Sequence, residues 1–141
     1  MSSMERAVAI TEHQIRHIRE VNQLAETLSL KGEDGVLLTL RASSGPVFSG
    51  DIVERTGLTT GRVANILKNL EDKRQIDRVQ DQEDKRRISV QLTESGREAA
   101  EERYRRNICC RQELLDRLAT EERDRMFEFL ERLIEACGAE A

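Results

Sequence analysis

Residues 49–73 carry two amphipathic helical patterns separated by a single glycine, and they constrain the fold more than any other stretch. The first pattern, SGDIVERTG, turns Ile52 and Val53 inward, with Ser49 as the predicted N-cap and Gly57 as the stop. The second places apolar residues at i, i+3, i+4 and i+7, which makes one buried stripe along a helix. That stripe consists of Val63, Ile66, Leu67 and Leu70. A short helix, a glycine turn and a second amphipathic helix predict a helix-turn-helix.

Two short β-like runs follow this pair of helices, and an entirely polar segment separates them. The first run is residues 76–79, and the second, residues 88–92, alternates apolar and polar residues as a half-buried strand does. Between them lies QDQEDKRR. The pattern therefore predicts a β-hairpin with a charged tip, which we call the wing.

Helical patterns occupy both ends of the chain. Residues 5–30 are predicted to form a first helix closed by Gly32, and a long helix begins near Thr93 and restarts at Thr120. These helices hold more apolar positions than one small winged domain needs, so we expect them to pack against a second copy of the chain. The predicted fold is mainly α with a small β wing, a winged helix-turn-helix plus a helical dimerisation region. Its parts are an N-terminal dimerisation helix (residues 1–32), the winged helix-turn-helix (33–95) and C-terminal dimerisation helices (96–141).

Composition and charge narrow the classes of function. Aromatic residues make up only 3% of the chain and there is one Pro, which favours a helical core of aliphatic side chains over a β-sandwich. No apolar run approaches the roughly 20 residues of a membrane span, and three Cys without framework spacing fit a reducing cytoplasm. The net charge of −4 hides an asymmetry, because residues 41–90 carry +2 and the remainder −6. The basic middle leaves nucleic acid open as a partner.

The segment DKRRISVQLTESG, residues 84–96, resembles the wing signature of the MarR family of winged helix-turn-helix regulators. The family pattern is D-[RK]-R, five residues, then L-T-x-x-G. The matching residues are Asp84, Lys85, Arg86, Leu92, Thr93 and Gly96. The preceding GLTTGRVANILKNLE resembles the family's recognition helix, and the order of elements agrees along nearly the whole chain. The resemblance implies a homodimeric transcriptional regulator, by default a repressor, that binds a palindromic operator in double-stranded DNA.

One position departs from the family pattern. Arg74 stands where the family usually has glycine after the recognition helix. If the backbone at this position has a positive φ, the side chain adds strain of about 1 kcal/mol or somewhat more.

The expected DNA contacts lie on the recognition helix and at the wing tip. Arg62 can reach guanine with a bidentate fork, Asn65 can pair with adenine or a phosphate, and Thr60 can meet a phosphate at the helix start. A wing arginine, Arg86 by its signature position, is expected in a narrow minor groove, with Asp84 pairing to it and holding it in place. The complete predicted set is Thr60, Arg62, Asn65, Lys68 and Asn69 on the helix, and Asp84, Lys85, Arg86 and Arg87 on the wing.

Effector, metal and catalytic signals are weak in the sequence. The resemblance implies a small aromatic or anionic effector, and His13, His17 and Arg41 are candidate residues of its site. His13 and His17 are four residues apart without further ligands nearby, so we expect no metal, no cofactor and two surface histidines. Neither a glycine-rich phosphate loop nor a Ser/Cys–His constellation is present, which argues against an enzyme.

Two alternative functions stay open at this point. One is a thiol-based redox-sensing regulator that uses Cys109, Cys110 or Cys137, although adjacent Cys109 and Cys110 are too close for an unstrained disulfide and Cys137 is expected in the core. The other is an interaction module that does not bind DNA specifically.

Overall fold

A computed structural model of the chain describes residues 1–138. It contains two compact units, Met1–Asn107 and the chain from Ile108 onward. The last three residues of the predicted C-terminal element (96–141) lie outside the described residues. The elements in chain order are α1 (Ser3–Arg16), α2 (Ile18–Leu28), α3 (Gly32–Ala42), β1 (Val47–Phe48), α4 (Ser49–Thr56), α5 (Thr60–Asp72), β2 (Ile76–Gln80), β3 (Ile88–Leu92), α6 (Glu94–Leu115) and α7 (Thr120–Gly138).

The three strands form one antiparallel sheet in the order β1-β3-β2. The pairing of β2 with β3 aligns Ile76 with Leu92 and Gln80 with Ile88, so residues 81–87 form the loop at the wing tip. A largely helical chain with one small sheet confirms the predicted fold class. The two-residue strand β1 was missed, because two residues are too short to show an alternating pattern.

The core of the first unit lies where α3, α4, α5 and the sheet meet. Its fully buried side chains include Leu37 of α3, Ile52 of α4 and Ile76 of β2, while Ala100 packs from α6. The predicted stripe of α5 is buried along its whole length: Val63, Ile66, Leu67 and Leu70. This burial fixes the rotation of α5 about its own axis and therefore decides which residues it presents to solvent.

Several predicted details are wrong. The single helix over residues 5–30 is two helices, because the backbone of His17 leaves the helical region with φ −121 and ψ 36. No Pro or Gly marks this break, so the sequence carried no signal for it. Gly32 does not close this region; with φ 64 it is the first residue of α3. Ser49 is not an N-cap, since the carboxylate of Asp51 accepts the bond from the N–H of Phe48 at 2.8 Å.

The alternation in β3 holds only in part. Val90 is buried as expected, but Ile88 is exposed because it lies beside the wing tip, beyond the core. Ser89 is buried because β3 is the central strand of the sheet, and its hydroxyl donates a 3.1 Å bond to the carbonyl of Val79. A buried polar side chain is therefore satisfied within the sheet.

The turn after α5 takes the positive φ considered for Arg74. Its φ is 57, and it is the only residue other than glycine with a positive φ in residues 1–138. The N–H of Arg74 donates to the carbonyl of Glu71, and the N–H of Gln75 donates to the carbonyl of Leu70, both at 2.9 Å. These two bonds form a Schellman motif, which normally uses glycine at this position.

The terminal helices carry exposed apolar side chains. Neither α1 nor α2 buries a residue, and the same is true of α7. The exposed set on α7 is Phe127, Phe129, Leu130, Leu133 and Ile134. Cys137, expected in the core, is exposed, because the apolar side of α7 on which it lies is itself open to solvent within one chain. None of the helices in residues 1–138 is long and apolar enough to cross a membrane.

Candidate nucleic-acid interface

The turn between α4 and α5 contains the glycine stop that the sequence predicts. Gly57 ends α4 with φ 67, a backbone conformation that residues with a Cβ rarely adopt. The side chain of Thr59 then accepts a 3.2 Å bond from the N–H of Arg62 and caps α5. Thr60 is the first residue of that helix. The N-terminal turn of α5 is therefore held by its own cap and faces solvent.

The outer face of α5 is polar and open. All five predicted contact residues of this helix are exposed: Thr60, Arg62, Asn65, Lys68 and Asn69. Within residues 1–138, neither Arg62 nor Lys68 forms an ion pair. The basic side chains just beyond the helix differ, since Lys73 pairs with Glu33 at 2.8 Å and Arg78 pairs with Glu71 at 3.1 Å. The exposed face of α5 thus presents two cations, Arg62 and Lys68, that have no acidic partner in residues 1–138.

Backbone and side-chain bonds close the wing tip. The N–H of Asp81 donates to the carbonyl of Arg87 at 2.9 Å, and the N–H of Arg87 donates to the carbonyl of Asp84 at 2.9 Å. The side-chain amide of Gln80 donates to the carbonyl of Lys85 at 2.6 Å. The loop is therefore an ordered turn with several internal hydrogen bonds.

Asp84 and Arg86 form the ion pair that the sequence predicts. One carboxylate oxygen of Asp84 accepts bonds from Nε of Arg86 at 3.2 Å and from its backbone N–H at 3.1 Å. The side-chain bond first, and the backbone bond second, lower the pKa of the Asp84 carboxyl below its ordinary value. The Arg86 side chain remains 92% exposed. The pair orients a guanidinium whose remaining N–H groups stay exposed to an outside anion.

Arg87 behaves differently from the other two basic residues of the tip. Its guanidinium carbon lies 3.7 Å from the centroid of the Phe48 ring, in cation–π contact. Phe48 was not among the predicted functional residues. Its signal in the sequence is weak, because a single aromatic residue two positions after Pro46 gives no indication of an arginine some forty positions later.

The effector candidates do not form one site. Arg41 lines a cavity of about 720 Å³ in the first unit, between the end of α3, residues 43–47, β3 and the start of α6. Arg97 and Glu101 also line it, and His13 and His17 do not. Nε of Arg41 lies 2.8 Å from Glu101, and its guanidinium lies 3.7 Å from the centre of the Tyr104 ring. The hydrogen bond lowers the pKa of Glu101 and raises that of Arg41.

His13 and His17 are exposed neighbours on the first helical segment, with ring centroids 4.7 Å apart. In residues 1–138 no group of three or more His, Cys, Asp or Glu side chains is arranged to hold a metal ion. The three cysteines are free, with Cys109 and Cys137 exposed and Cys110 partly buried. In the described residues, neither the two histidines nor the three cysteines form part of a metal site or a disulfide.

The comparisons with known proteins agree with this architecture. A model of the MarR family matches residues 35–87. An uncharacterised HTH-type transcriptional regulator of Bacillus subtilis, YdgJ, is 30% identical over 97 residues, which are 69% of this chain and 59% of that protein. The structure of the Staphylococcus aureus MepR–DNA complex superposes with a TM-score of 0.63 and 26% identity, covering 97% of this chain and 99% of MepR. Residues 35–87 therefore form a MarR-family domain.

The MarR match extends from the first turn of α3 to the end of the wing tip. All nine predicted DNA-contact residues lie inside it. The terminal helices are matched through solved structures. BpsR of Bordetella bronchiseptica, described with regulation of its DNA binding by 6-hydroxynicotinic acid, shares the fold at a TM-score of 0.63 and 23% identity, covering 86% of this chain and 91% of BpsR. The chain spans 59% of the length of the curated relative YdgJ.

Proposed function

We propose that this MarR-family protein is a sequence-specific DNA-binding transcriptional regulator that acts as a homodimer, by family default as a repressor. The observation that carries the proposal is the pairing of two exposed cationic features in one unit. One is the outer face of α5, where Arg62 and Lys68 have no acidic partner in the described chain, and the other is the wing tip, where Arg86 is oriented by Asp84. MepR, which has the same fold, has been solved in complex with DNA.

The recognition helix supplies the base contacts in this proposal. A helix fits the major groove of B-DNA, where the guanidinium of Arg62 matches the O6 and N7 acceptors of guanine and the amide of Asn65 matches adenine. Thr60, at the start of the helix, lies where N–H groups point toward a phosphate. Lys68 and Asn69 lie one to two turns further along and contact a base edge or a phosphate.

The wing supplies a minor-groove contact. A narrow groove at A·T-rich sequence concentrates negative potential and attracts an arginine side chain. We assign this role to Arg86. Its side chain is 92% exposed, whereas that of Arg78, the other wing arginine in an ion pair, is only 34% exposed. Lys85 lies next to it and is also exposed, so we assign it to a flanking phosphate.

The dimer rests on the exposed apolar side chains of the terminal helices. So many large apolar side chains exposed on these helices are unusual on a monomer, and they support an interface. A two-fold axis repeats the recognition helix, and two copies about 34 Å apart reach successive major grooves on one face of the duplex. The preferred site is therefore a near-palindrome.

We place a small aromatic or anionic effector in the cavity lined by Arg41. The cavity has a suitable size, and Arg41 and Arg97 offer positive charge to an anion. Because Arg41 already pairs with Glu101, a ligand carboxylate has to displace Glu101 or share the guanidinium. An effector bound there acts only if it binds the DNA-competent and DNA-incompetent states with different affinity.

Selection of bound sequences from a random duplex pool tests the DNA proposal, followed by titration of the selected duplex at several salt concentrations. We expect an enriched inverted repeat and a preference of about 10³-fold or more over random duplex. Arg62→Ala should relax the base preference in each half-site. Arg86→Ala should weaken binding and make the slope of log affinity against log salt shallower by about one unit per site. Arg19→Ala, which removes an exposed cation from α2, is the matched control and should change neither.

Two outcomes contradict the proposal. If the wild-type chain binds no duplex at low salt, it is not a DNA-binding protein. If it binds all duplexes equally, with no enriched sequence, it is a non-specific binder and the roles of Arg62 and Asn65 are wrong. For the effector, benzoate should release the selected duplex from the wild-type protein. It should do so less effectively from Arg41→Met, which keeps an unbranched side chain and removes its charge.

A further inference from the structure

The wing tip contains three successive basic residues with different surroundings. Lys85 is exposed, and Arg86 is exposed and oriented by the carboxylate beside it. Only the third, Arg87, lies against an aromatic ring, with its guanidinium carbon 3.7 Å from the centroid of Phe48. Three side chains that look alike in the sequence therefore have separate positions in the fold.

Phe48 is itself held in place on two sides. It belongs to β1, where it pairs with Ser89 of β3. Its N–H donates a 2.8 Å bond to the carboxylate of Asp51 in the first turn of α4. The ring is half-buried and immediately precedes α4, the first helix of the helix-turn-helix. A residue stacked on this ring is thereby attached to the helix-turn-helix.

Arg87 occupies the point where the wing loop closes. Its N–H donates to the carbonyl of Asp84, and its carbonyl accepts from the N–H of Asp81. The next residue, Ile88, begins β3. Because both backbone groups of Arg87 belong to the turn and its side chain lies on Phe48, this one residue connects the wing tip to α4.

We propose that Arg87 is a positioning residue, which stacks on Phe48 and fixes the wing tip relative to the helix-turn-helix. The inference rests on the proposed function, since it concerns how the same site meets DNA. Its consequence is that Arg86 is held at the minor groove while α5 lies in the major groove. The role replaces the direct DNA contact that the sequence suggests for Arg87.

The physical gain is preorganisation. A wing free to swing loses conformational entropy when it is fixed on DNA, whereas a wing already held loses less. A guanidinium over an aromatic ring near the surface contributes about 0.5–1 kcal/mol, which corresponds to roughly a two- to fivefold change in affinity. The effect should appear in affinity without any change in the number of phosphates neutralised.

Titration of one selected duplex with the full-length protein and a set of variants tests this inference. F48L removes the ring, keeps an apolar side chain of similar size and leaves the charge unchanged. We expect it to bind roughly two- to fivefold more weakly than wild type, with the same salt slope. F48Y keeps the ring and should restore wild-type affinity. In the F48L background, R87A should add little further loss, because the two single changes remove the same contact.

The outcomes separate this inference from the proposed function. If wild type binds no duplex, the proposed function fails and Arg87 has nothing to position. If wild type binds and F48L binds as tightly, the stacking role is wrong. An F48Y variant as weak as F48L also overturns it, as does an R87A change that is fully additive with F48L and makes the salt slope shallower by about one. The melting temperature of each variant, measured alongside, identifies a loss of affinity that comes only from unfolding.

Discussion

The hydroxyl of Thr93 donates a 2.7 Å hydrogen bond to the backbone carbonyl of Arg74. The same oxygen accepts a 3.0 Å bond from the N–H of Gly96 and so caps the first turn of α6. The backbone N–H of Thr93 adds a 3.0 Å bond to the carbonyl of Gln75. One residue thereby attaches the end of the recognition helix to the start of α6. This is a structural reason for the Thr in the L-T-x-x-G part of the wing signature.

Replacing Thr93 with Val tests this connection. Val has the same shape but no hydroxyl, so the first turn of α6 loses its cap and the carbonyl of Arg74 loses its donor. We expect the free energy of unfolding to fall by about 1–2 kcal/mol. Denaturant unfolding followed by circular dichroism measures it. Thr93→Ser keeps the hydroxyl and should lose much less; equal losses for the two variants would contradict the capping role.

Gly96 is required for a different reason at the same junction. A Cβ at this position would lie 1.8 Å from the carbonyl oxygen of Gln75, which is backbone and cannot move aside alone. Gly96→Ala should therefore destabilise the protein by about 3 kcal/mol, at the upper end of overpacking effects. Gly50→Ala is the matched control, because nothing lies within 4 Å of a Cβ there. Similar unfolding midpoints for the two variants would refute the close approach.

The sequence predicted the elements that repeat a pattern over several residues. The four-residue stripe of α5, the glycine stop at residue 57 and the paired β2 and β3 all appear in the structure. The sequence did not predict β1 or the break at His17. Strand β1 is set by its pairing with β3, and the break is set by the backbone angles of one residue, so neither leaves a local pattern. The ion pair of Asp84 with Arg86 was predictable from two charges of opposite sign two residues apart. The stacking of Arg87 on Phe48 was not, since it depends on the sheet pairing.

Arg74 offers a direct measurement of backbone strain. With φ 57 it holds a Cβ in the left-handed region, where a side chain costs roughly 1–2 kcal/mol relative to glycine. Arg74→Gly should raise the free energy of unfolding by about 1 kcal/mol, after the greater entropy of glycine in the unfolded chain is subtracted. Arg74→Ala keeps the Cβ and should stay close to wild type. If Ala stabilises as much as Gly, the arginine side chain rather than the backbone causes the effect.

The acidic residues of the wing tip should have opposite effects on DNA affinity. Glu83 is an exposed carboxylate at the wing tip, the proposed minor-groove contact, so Glu83→Ala removes repulsion and should tighten binding. Asp84→Ala removes the same charge but also releases Arg86, so we expect several-fold weaker binding despite the more favourable net charge. Titration of a single duplex at fixed salt measures both. Tighter binding by Asp84→Ala would show that the ion pair does not position Arg86.

The pH dependence of this ion pair follows from the lowered pKa of Asp84. The pair contributes above the ordinary pKa of an aspartate, about 3.9, and is lost as pH falls through the lower value in the folded state. The affinity difference between wild type and Asp84→Ala should therefore stay constant between about pH 6 and pH 8. A difference that changes across this range would mean that another titrating group controls the wing.

The dimer proposal makes a prediction about the apolar side of α7. Ile134 is 71% exposed in the single chain, and Phe127 lies two turns earlier on the same side of the helix. If this side is buried against a second copy, Ile134→Glu places a charge inside the interface and should convert the protein to monomers at micromolar concentration. Analytical ultracentrifugation measures the mass in solution. Glu135→Lys, a change at another exposed position of the same helix, should leave the dimer intact. A wild-type protein that is already monomeric would remove the two-fold symmetry from the DNA model, and an Ile134→Glu variant that stays dimeric would place the interface elsewhere.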